Sequence, residues 1–322
     1  MNDDIKLDLN EYDFPHPPEL YENIINNLKN ISHYTTADKL NTLISKIASY
    51  NNICKDNIIL TPGSDIALEY IIRTYPNKKI YTFIPTYSYF ELLVKNLDTV
   101  YIQINLDDKI IDVYNYLSCF DMYNALVYIV NPNNPTGKLI DKESLEKCLK
   151  QFNNTIFILD EAYIEFSMNN SCMDLIQQYN NIIITRTFSK AYGLCGMRLG
   201  YIATSNIKSI CYNVRSVSIL SVIAGIYILD NLLYYNDIIN QIKQNREDFK
   251  IFLGNNNIEY LESEGNFITI LSDIDIRSKN VKVAHKIIDN KNYFRITIGN
   301  INTMDKLKEH IIKYIDEYQR NS

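Results

Sequence analysis

Short, nearly continuous apolar runs alternate with amphipathic stretches through the middle of this chain. Runs rich in Ile, Val and Tyr read as strands at Asn57–Leu60, Lys79–Ile84, Thr99–Ile104, Ala125–Val130, Thr155–Asp160, Ile182–Thr187 and Leu199–Thr204. Helical spacing of apolar residues falls between them, at Ser64–Thr74, Tyr87–Asn96, Asp141–Phe152 and Cys172–Gln178. Asp141 stands as an N-cap ahead of the apolar positions Leu145, Cys148 and Leu149. Strands that are apolar on both faces need cover on both faces. The alternation therefore predicts an α/β fold with a mostly parallel central sheet flanked by helices.

Beyond about Asp237 the pattern changes. A long polar helix, Ile238–Leu253, is followed by strand-like runs at Glu259–Leu261, Phe267–Leu271 and Tyr293–Ile298, and by a last helix, Thr303–Tyr318. This reads as a smaller α+β domain. Pro15, Pro17 and Pro18 keep the N-terminal segment out of the main sheet, and that segment is expected to lie against the smaller unit. The expected division is a large domain over residues 33–240, with residues 1–32 and 241–322 forming the small one. The most apolar stretch, Val217–Leu229, is shorter than the roughly 20 residues a bilayer span requires and reads as a buried helix.

Composition narrows the function. The 322 residues are 46% hydrophobic and 22% charged, with a formal net charge of −6 and no long block of one sign. Such a balance disfavours a nucleic-acid-binding surface. The six cysteines form no C-x-x-C pair and the four histidines do not cluster with them, so free thiols in a reducing compartment are expected rather than a metal site. With no hydrophobic leader in Met1–Asn10, a cytoplasmic protein that does not engage membranes is expected.

The chemistry concentrates in Arg186-Thr-Phe-Ser-Lys190-Ala-Tyr-Gly-Leu-Cys-Gly-Met-Arg198-Leu-Gly-Tyr201. A lysine held just past a strand, partly desolvated, can form a Schiff base with an aldehyde. Thr187 and Ser189 add hydroxyl donors, and Arg198 can grip a phosphate. That combination suits pyridoxal 5′-phosphate (PLP). Asp160, at the end of Thr155–Asp160, could face a pyridine nitrogen or serve only as an N-cap, and Tyr163 stands three residues on, within reach of a ring hydroxyl. In Asn131-Pro-Asn-Asn134-Pro-Thr-Gly137 the prolines hold Asn134 rigidly, either to donate to a phenolate-like oxygen or simply as a turn. Gly63, Ser64 and Asp65 join a strand to a helix N-terminus, a place where backbone N–H groups bind anions. Tyr87 follows another strand end and could stack on a flat ring. Arg295 is a charged residue among apolar strand positions and needs an anionic partner, a substrate carboxylate or an internal acid.

Taken in order, T-P-G-S-D, P-T-Y, N-P-N-N-P-T-G, D-E-A-Y, the lysine segment and F-R-I-T-I-G resemble the class I/II aminotransferases of PLP fold type I, from about Leu9 to Ile312. The nearest branch is similar to histidinol-phosphate aminotransferases and threonine-phosphate decarboxylases. The resemblance implies a homodimer with shared active sites, acting on an amino acid and a 2-oxo acid. It makes Lys190, Asp160 and Tyr163 catalytic. It assigns Gly63, Ser64, Asp65, Tyr87, Asn134, Thr187, Ser189 and Arg198 to the cofactor, and Arg295 to the substrate carboxylate. Tyr34 matches a tyrosine lent to the neighbouring subunit, and Asn10 and Tyr12 fall in a substrate-covering segment. One departure stands out. The family carries a second arginine before the carboxylate-binding one, whereas here Asn280-Val-Lys-Val-Ala-His285 supplies only Lys282 and His285. Amino-group transfer is the leading expectation, and decarboxylation and a non-catalytic PLP-binding relative are the alternatives. No G-x-G-x-x-G follows a strand, which disfavours a nicotinamide enzyme.

Overall fold

The computed structural model describes residues 4–97, 99–105, 111–288 and 291–321. In chain order the elements are β1 (Ile5–Leu7), α1 (Pro18–Asn27), α2 (Ala37–Asn51), β2 (Ile58–Thr61), α3 (Ser64–Thr74), β3 (Lys79–Ile84), α4 (Ser88–Asn96), β4 (Tyr101–Asn105), α5 (Val113–Leu117), β5 (Ala125–Val130) and α6 (Lys142–Gln151). They continue with β6 (Ile156–Asp160), β7 (Ile182–Thr187), β8 (Gly200–Ala203), α7 (Ile219–Asp230), α8 (Leu232–Asn255), β9 (Glu259–Leu261), β10 (Phe267–Leu271), β11 (Val281–Ile288), β12 (Lys291–Thr297) and α9 (Ile301–Asn321).

Seven strands form the larger sheet in the order β2-β8-β7-β6-β5-β3-β4. All run parallel except β8, which is antiparallel to both neighbours. Every residue of β5 is buried. Its side chains divide by strict alternation. Ala125, Val127 and Ile129 enter one apolar core, and Leu126, Tyr128 and Val130 enter the other, beneath α3 and α4. Full burial of a Val, Leu or Ile side chain contributes about 1.5–3 kcal/mol, which explains why runs without polar interruptions settle here.

The topology sets the position of the site. Because β2, β3, β5, β6 and β7 share one direction, Gly63, Pro85, Asn131, Glu161 and Lys190 all emerge at the same carboxyl edge. A second sheet, β1-β11-β12-β10-β9, stands against that edge. The two are tied where Thr269 Oγ1 donates to the Pro135 carbonyl at 2.5 Å and Glu264 N donates to the Gly137 carbonyl at 3.0 Å. Gly137, at φ +75°, leaves no room for a side chain, since a Cβ there would lie 2.4 Å from Ser263 Cα.

Several elements differ from the sequence reading. The N-terminal segment is not a single appendage to the second sheet: β1 joins that sheet beside β11, but α1 packs on α7. Cys172–Gln178 is a short 3₁₀ turn over Met173–Gln177 rather than an α-helix. Strand β11 was not expected, because Lys282, His285 and Lys286 break its apolar pattern. Helices α1 and α2 were also unread. Helix α7 is apolar nearly all round because it is buried between other helices. Among the described residues no single helix is long and apolar enough to cross a membrane.

Candidate active site

Nine of the residues singled out in the sequence line one cavity at the carboxyl edge: Ser64, Asp65, Tyr87, Asp160, Tyr163, Thr187, Ser189, Lys190 and Arg198. Its floor is Asp160, only 2% exposed. Tyr128 donates to its Oδ2 at 3.1 Å and Thr185 donates to its Oδ1 at 3.2 Å. Burial dominates over these bonds and pushes the Asp160 carboxyl up to about 7. A cation opposite it would restore the ionised form. Neither Tyr128 nor Thr185 was singled out in the sequence. The available signal was strand alternation, which puts Thr185 on the same face as Thr187, and Tyr128 on the face of Val130.

One end of the cavity is built for an anion. Gly63, at φ +85°, turns the chain into α3 so that the free N–H groups of the first turn point inward. A Cβ on Gly63 would sit 2.7 Å from Arg198 Nη2, so the loop and the guanidinium share tight quarters. Arg198 itself adopts a left-handed conformation, φ +53°, and is steadied by the Cys195 carbonyl at 3.1 Å and Asp65 Oδ2 at 3.2 Å. Thr187 and Ser189 hydroxyls are 2.9 Å apart. The Asp65 carboxylate also accepts from the Tyr87 hydroxyl at 3.1 Å.

On the other side Tyr163 collects amide donors. Asn134 Nδ2 lies 3.0 Å and Asn10 Nδ2 3.2 Å from its hydroxyl. Asn10 is fully buried and takes φ +53°, a conformation asparagine tolerates better than most residues. Lys190 Nζ donates to the Leu9 carbonyl at 2.9 Å and lies 5.9 Å from the centre of the Tyr163 ring. Arg295 reaches in from β12, donating to Asn134 Oδ1 at 2.7 Å and to the Asp8 carbonyl at 2.6 Å. Arg295 Nε is buried without a hydrogen-bond partner among the described residues, as are Asp8 Oδ1 and Asn266 Oδ1. Burial lowers the Arg295 pKa.

Two residues stand apart. Tyr12 is packed over Gly193 and stacked on His16 at 5.1 Å, with its hydroxyl buried and unpartnered. Tyr34 is 75% exposed and lies outside this crevice, in a surface cavity where the Arg215 guanidinium sits 5.0 Å from its ring. Of the two cations in the stretch that lacks the second arginine, Lys282 is exposed and pairs in register with Lys6, while His285 stacks on Phe294 at 4.8 Å. Among the described residues no His, Cys, Asp or Glu cluster could hold a metal ion.

PLP fits this donor set. A buried acid suits a pyridinium nitrogen, amide and phenol donors suit a ring oxygenate, and a helix N-terminus with Arg198 suits a phosphate. Lys190 is the amine within the same cavity.

The comparisons with known proteins agree with the geometry. The sequence profile "Aminotransferase class I and II" matches residues 2–311. A histidinol-phosphate aminotransferase of Brachyspira hyodysenteriae is 33% identical over 97% of this chain and 92% of its own length. A dihydroxyacetone phosphate transaminase of Campylobacter jejuni is also 33% identical, over 96% of this chain and 90% of its own. Among solved structures, a histidinol-phosphate aminotransferase of Sinorhizobium meliloti in complex with PLP superposes with a TM-score of 0.86 at 24% identity, covering 97% of this chain and 91% of that one. Another from Erwinia carotovora atroseptica, described as a histidinol-phosphate aminotransferase by inference, gives 0.88 at 23% identity, over 98% and 97%. With a buried acid, a lysine and a phosphate cradle in one crevice and a family match along nearly its whole length, this chain belongs to the class I and II aminotransferases and is a PLP-dependent transaminase.

Proposed function

We propose that this transaminase moves an amino group between an amino acid or a phosphorylated amine of the histidinol-phosphate kind and a 2-oxo acid. The observation that carries the reading is the convergence of Lys190, Asp160, Tyr163 and Arg198 on one cavity, with Arg295 entering from the second sheet. Relatives at 33% identity are named as transaminases of phosphorylated compounds, which favours transfer over decarboxylation.

Each residue has a distinct task in this reading. Gly63, Ser64, Asp65, Thr187, Ser189 and Arg198 would hold the PLP phosphate, Tyr87 would cover the ring, and Asn134 and Tyr163 would meet its oxygen. When bound, PLP supplies the electron sink that makes the substrate's Cα–H acidic. Asp160 holds a proton at the ring nitrogen. Arg295 releases the Asp8 carbonyl and takes the substrate carboxylate in a planar, charge-assisted grip. Lys190 Nζ then stands as the base that takes the Cα proton, and the N-terminal segment Leu9–Tyr12 keeps water from the site.

A spectral screen of amino acids and phosphorylated amines against purified holoprotein tests this. At least one donor should convert the cofactor's absorbance to that of its amine form, with a 2-oxo acid reversing it. Lys190→Ala should abolish turnover and the covalent link to PLP seen by mass spectrometry, with unchanged circular dichroism. Retained turnover would overturn the assignment. The exposed Tyr34 ring supports a homodimer in which it completes a neighbour's site. Mixing Lys190→Ala and Tyr34→Ala protomers should then restore partial activity. Six free cysteines support a reducing compartment such as the cytoplasm.

A further inference from the structure

Beside Arg295 a second cation stands on the same face of the second sheet. Strands β11 and β12 are antiparallel, with Ala284 opposite Arg295 and Lys286 opposite Tyr293. Alternate residues share a face, so Lys286 lies on the face of Arg295, one diagonal step away. At that separation, about 7–8 Å, long side chains serve one ligand together. The neighbouring His285 faces the other way, with its ring on Phe294 and Nε2 held 3.0 Å from Asn292 Oδ1. Lys286 is half-buried, and its Nζ reaches across to the Thr86 carbonyl at 3.4 Å, next to the ring-covering Tyr87. Its amine therefore bridges the second sheet and the cofactor loop.

Among the described residues no carboxylate oxygen lies within 4 Å of Lys286 Nζ. Glu91 acts on it only at longer range and is engaged by Gln103 at 3.2 Å. Burial and the nearby Arg295 both lower its pKa. Two partly desolvated cations on one strand pair repel each other, and an arrangement of this kind is stabilised when an anion arrives.

We propose that Lys286 is a specificity residue that binds a second anionic group of the substrate, a phosphate monoester or a side-chain carboxylate, while Arg295 holds the first. The inference rests on the transaminase reading above and narrows it to dianionic substrates. A lysine here offers a point charge with three rotatable donors, which accepts either anion without demanding a planar one.

Unreactive ligands separate this proposal from turnover. Glutarate and 4-phosphonobutyrate carry two anionic groups, and valerate carries one. Calorimetric titration of the holoprotein should show either dianion binding at least tenfold more tightly than valerate. Lys286→Gln should lose that preference while changing valerate affinity less than twofold, and Lys286→Arg should restore it. The ligand with the larger loss identifies the carboxylate or the phosphoryl group as the natural anion. Equal losses for valerate and the dianions, or an undiminished preference in Lys286→Gln, would overturn the proposal. Should that variant fail to fold, the wild-type titration decides, since no preference for a dianion also overturns it. The donor screen is read independently. Cofactor conversion without dianion preference refutes Lys286 alone, and preference without conversion by any donor refutes the donor reading alone.

Discussion

Asp160 shows how much one residue's environment contributes. In solution an aspartate ionises near 4. Here burial outweighs the bonds from Tyr128 and Thr185 and holds the carboxyl at about 7. The sign follows from linkage. Between about pH 4 and 7 the unfolded chain ionises Asp160 while the folded apoprotein keeps it protonated. Stability from this group is complete below the unfolded pKa and is lost as pH rises through the folded one. Asp160→Asn removes the titration. The apoprotein variant should gain stability relative to wild type as pH rises from about 4 to 7, with the gain levelling off above. Melting temperatures of both apoproteins across that range check it. Bound PLP should narrow the difference, because a protonated ring nitrogen favours the Asp160 carboxylate. The identity of this aspartate was legible in the strand-ending D-E-A-Y motif. Its raised pKa was not, because that comes from burial, which tertiary packing sets and which outweighs the lowering bond from Tyr128, 32 positions away in sequence.

At the scale of elements, β6 and β7 work on both faces at once. Asp160 and Thr187 face the cofactor cavity, while the alternate residues Glu161 and Arg186 turn to the opposite side. There Arg186 Nε and Nη2 donate to Glu161 Oε2 at 2.9 and 2.7 Å, and Arg186 Nη1 donates to Asn51 Oδ1 at 2.7 Å. Both ions are essentially fully buried. The Cys172 N–H and Ser171 hydroxyl complete the carboxylate's bonds. Removing one charge leaves the other buried and unpaired, which costs about 3–5 kcal/mol. Glu161→Gln should lower unfolding free energy by about that amount in urea titration, and weaken PLP binding as the strand ends bearing Asp160 and Lys190 loosen. A loss under about 1 kcal/mol would mean that the pair does not clamp the strands. In the sequence Arg186 was visible only as a neighbour of the lysine motif. Its partner became apparent once the parallel register placed Glu161 beside it.

For the whole molecule, the first residues bind the two sheets around the crevice. Asn10 N donates to Thr297 Oγ1 at 3.0 Å, Asn266 Nδ2 donates to the Asn10 carbonyl at 3.3 Å, and Asn10 Nδ2 donates to the Tyr163 hydroxyl at 3.2 Å. One residue thus joins four separate parts of the chain. Asn10→Ala should cost about 2–3 kcal/mol, from the strained left-handed backbone and the lost bonds, and raise KM for the amino donor. Chemical denaturation and steady-state kinetics on the holoenzyme check both effects. The sequence suggested this segment only by loose similarity, since Leu-Asn-Glu-Tyr carries no periodicity and its partners lie more than 150 positions away, in the middle and toward the far end of the chain.

The sequence alone determined the large sheet, because buried strands leave uninterrupted apolar runs and strand-end polar residues mark a parallel sheet's carboxyl edge. It also brought out the residues proposed to hold the cofactor, since those motifs are local. Tertiary structure decided which polar groups meet across distance, Tyr128 with Asp160 and Arg186 with Glu161, and which share one face, Lys286 with Arg295. Those pairings arise from register and sheet docking, and neither leaves a period in the order of residues.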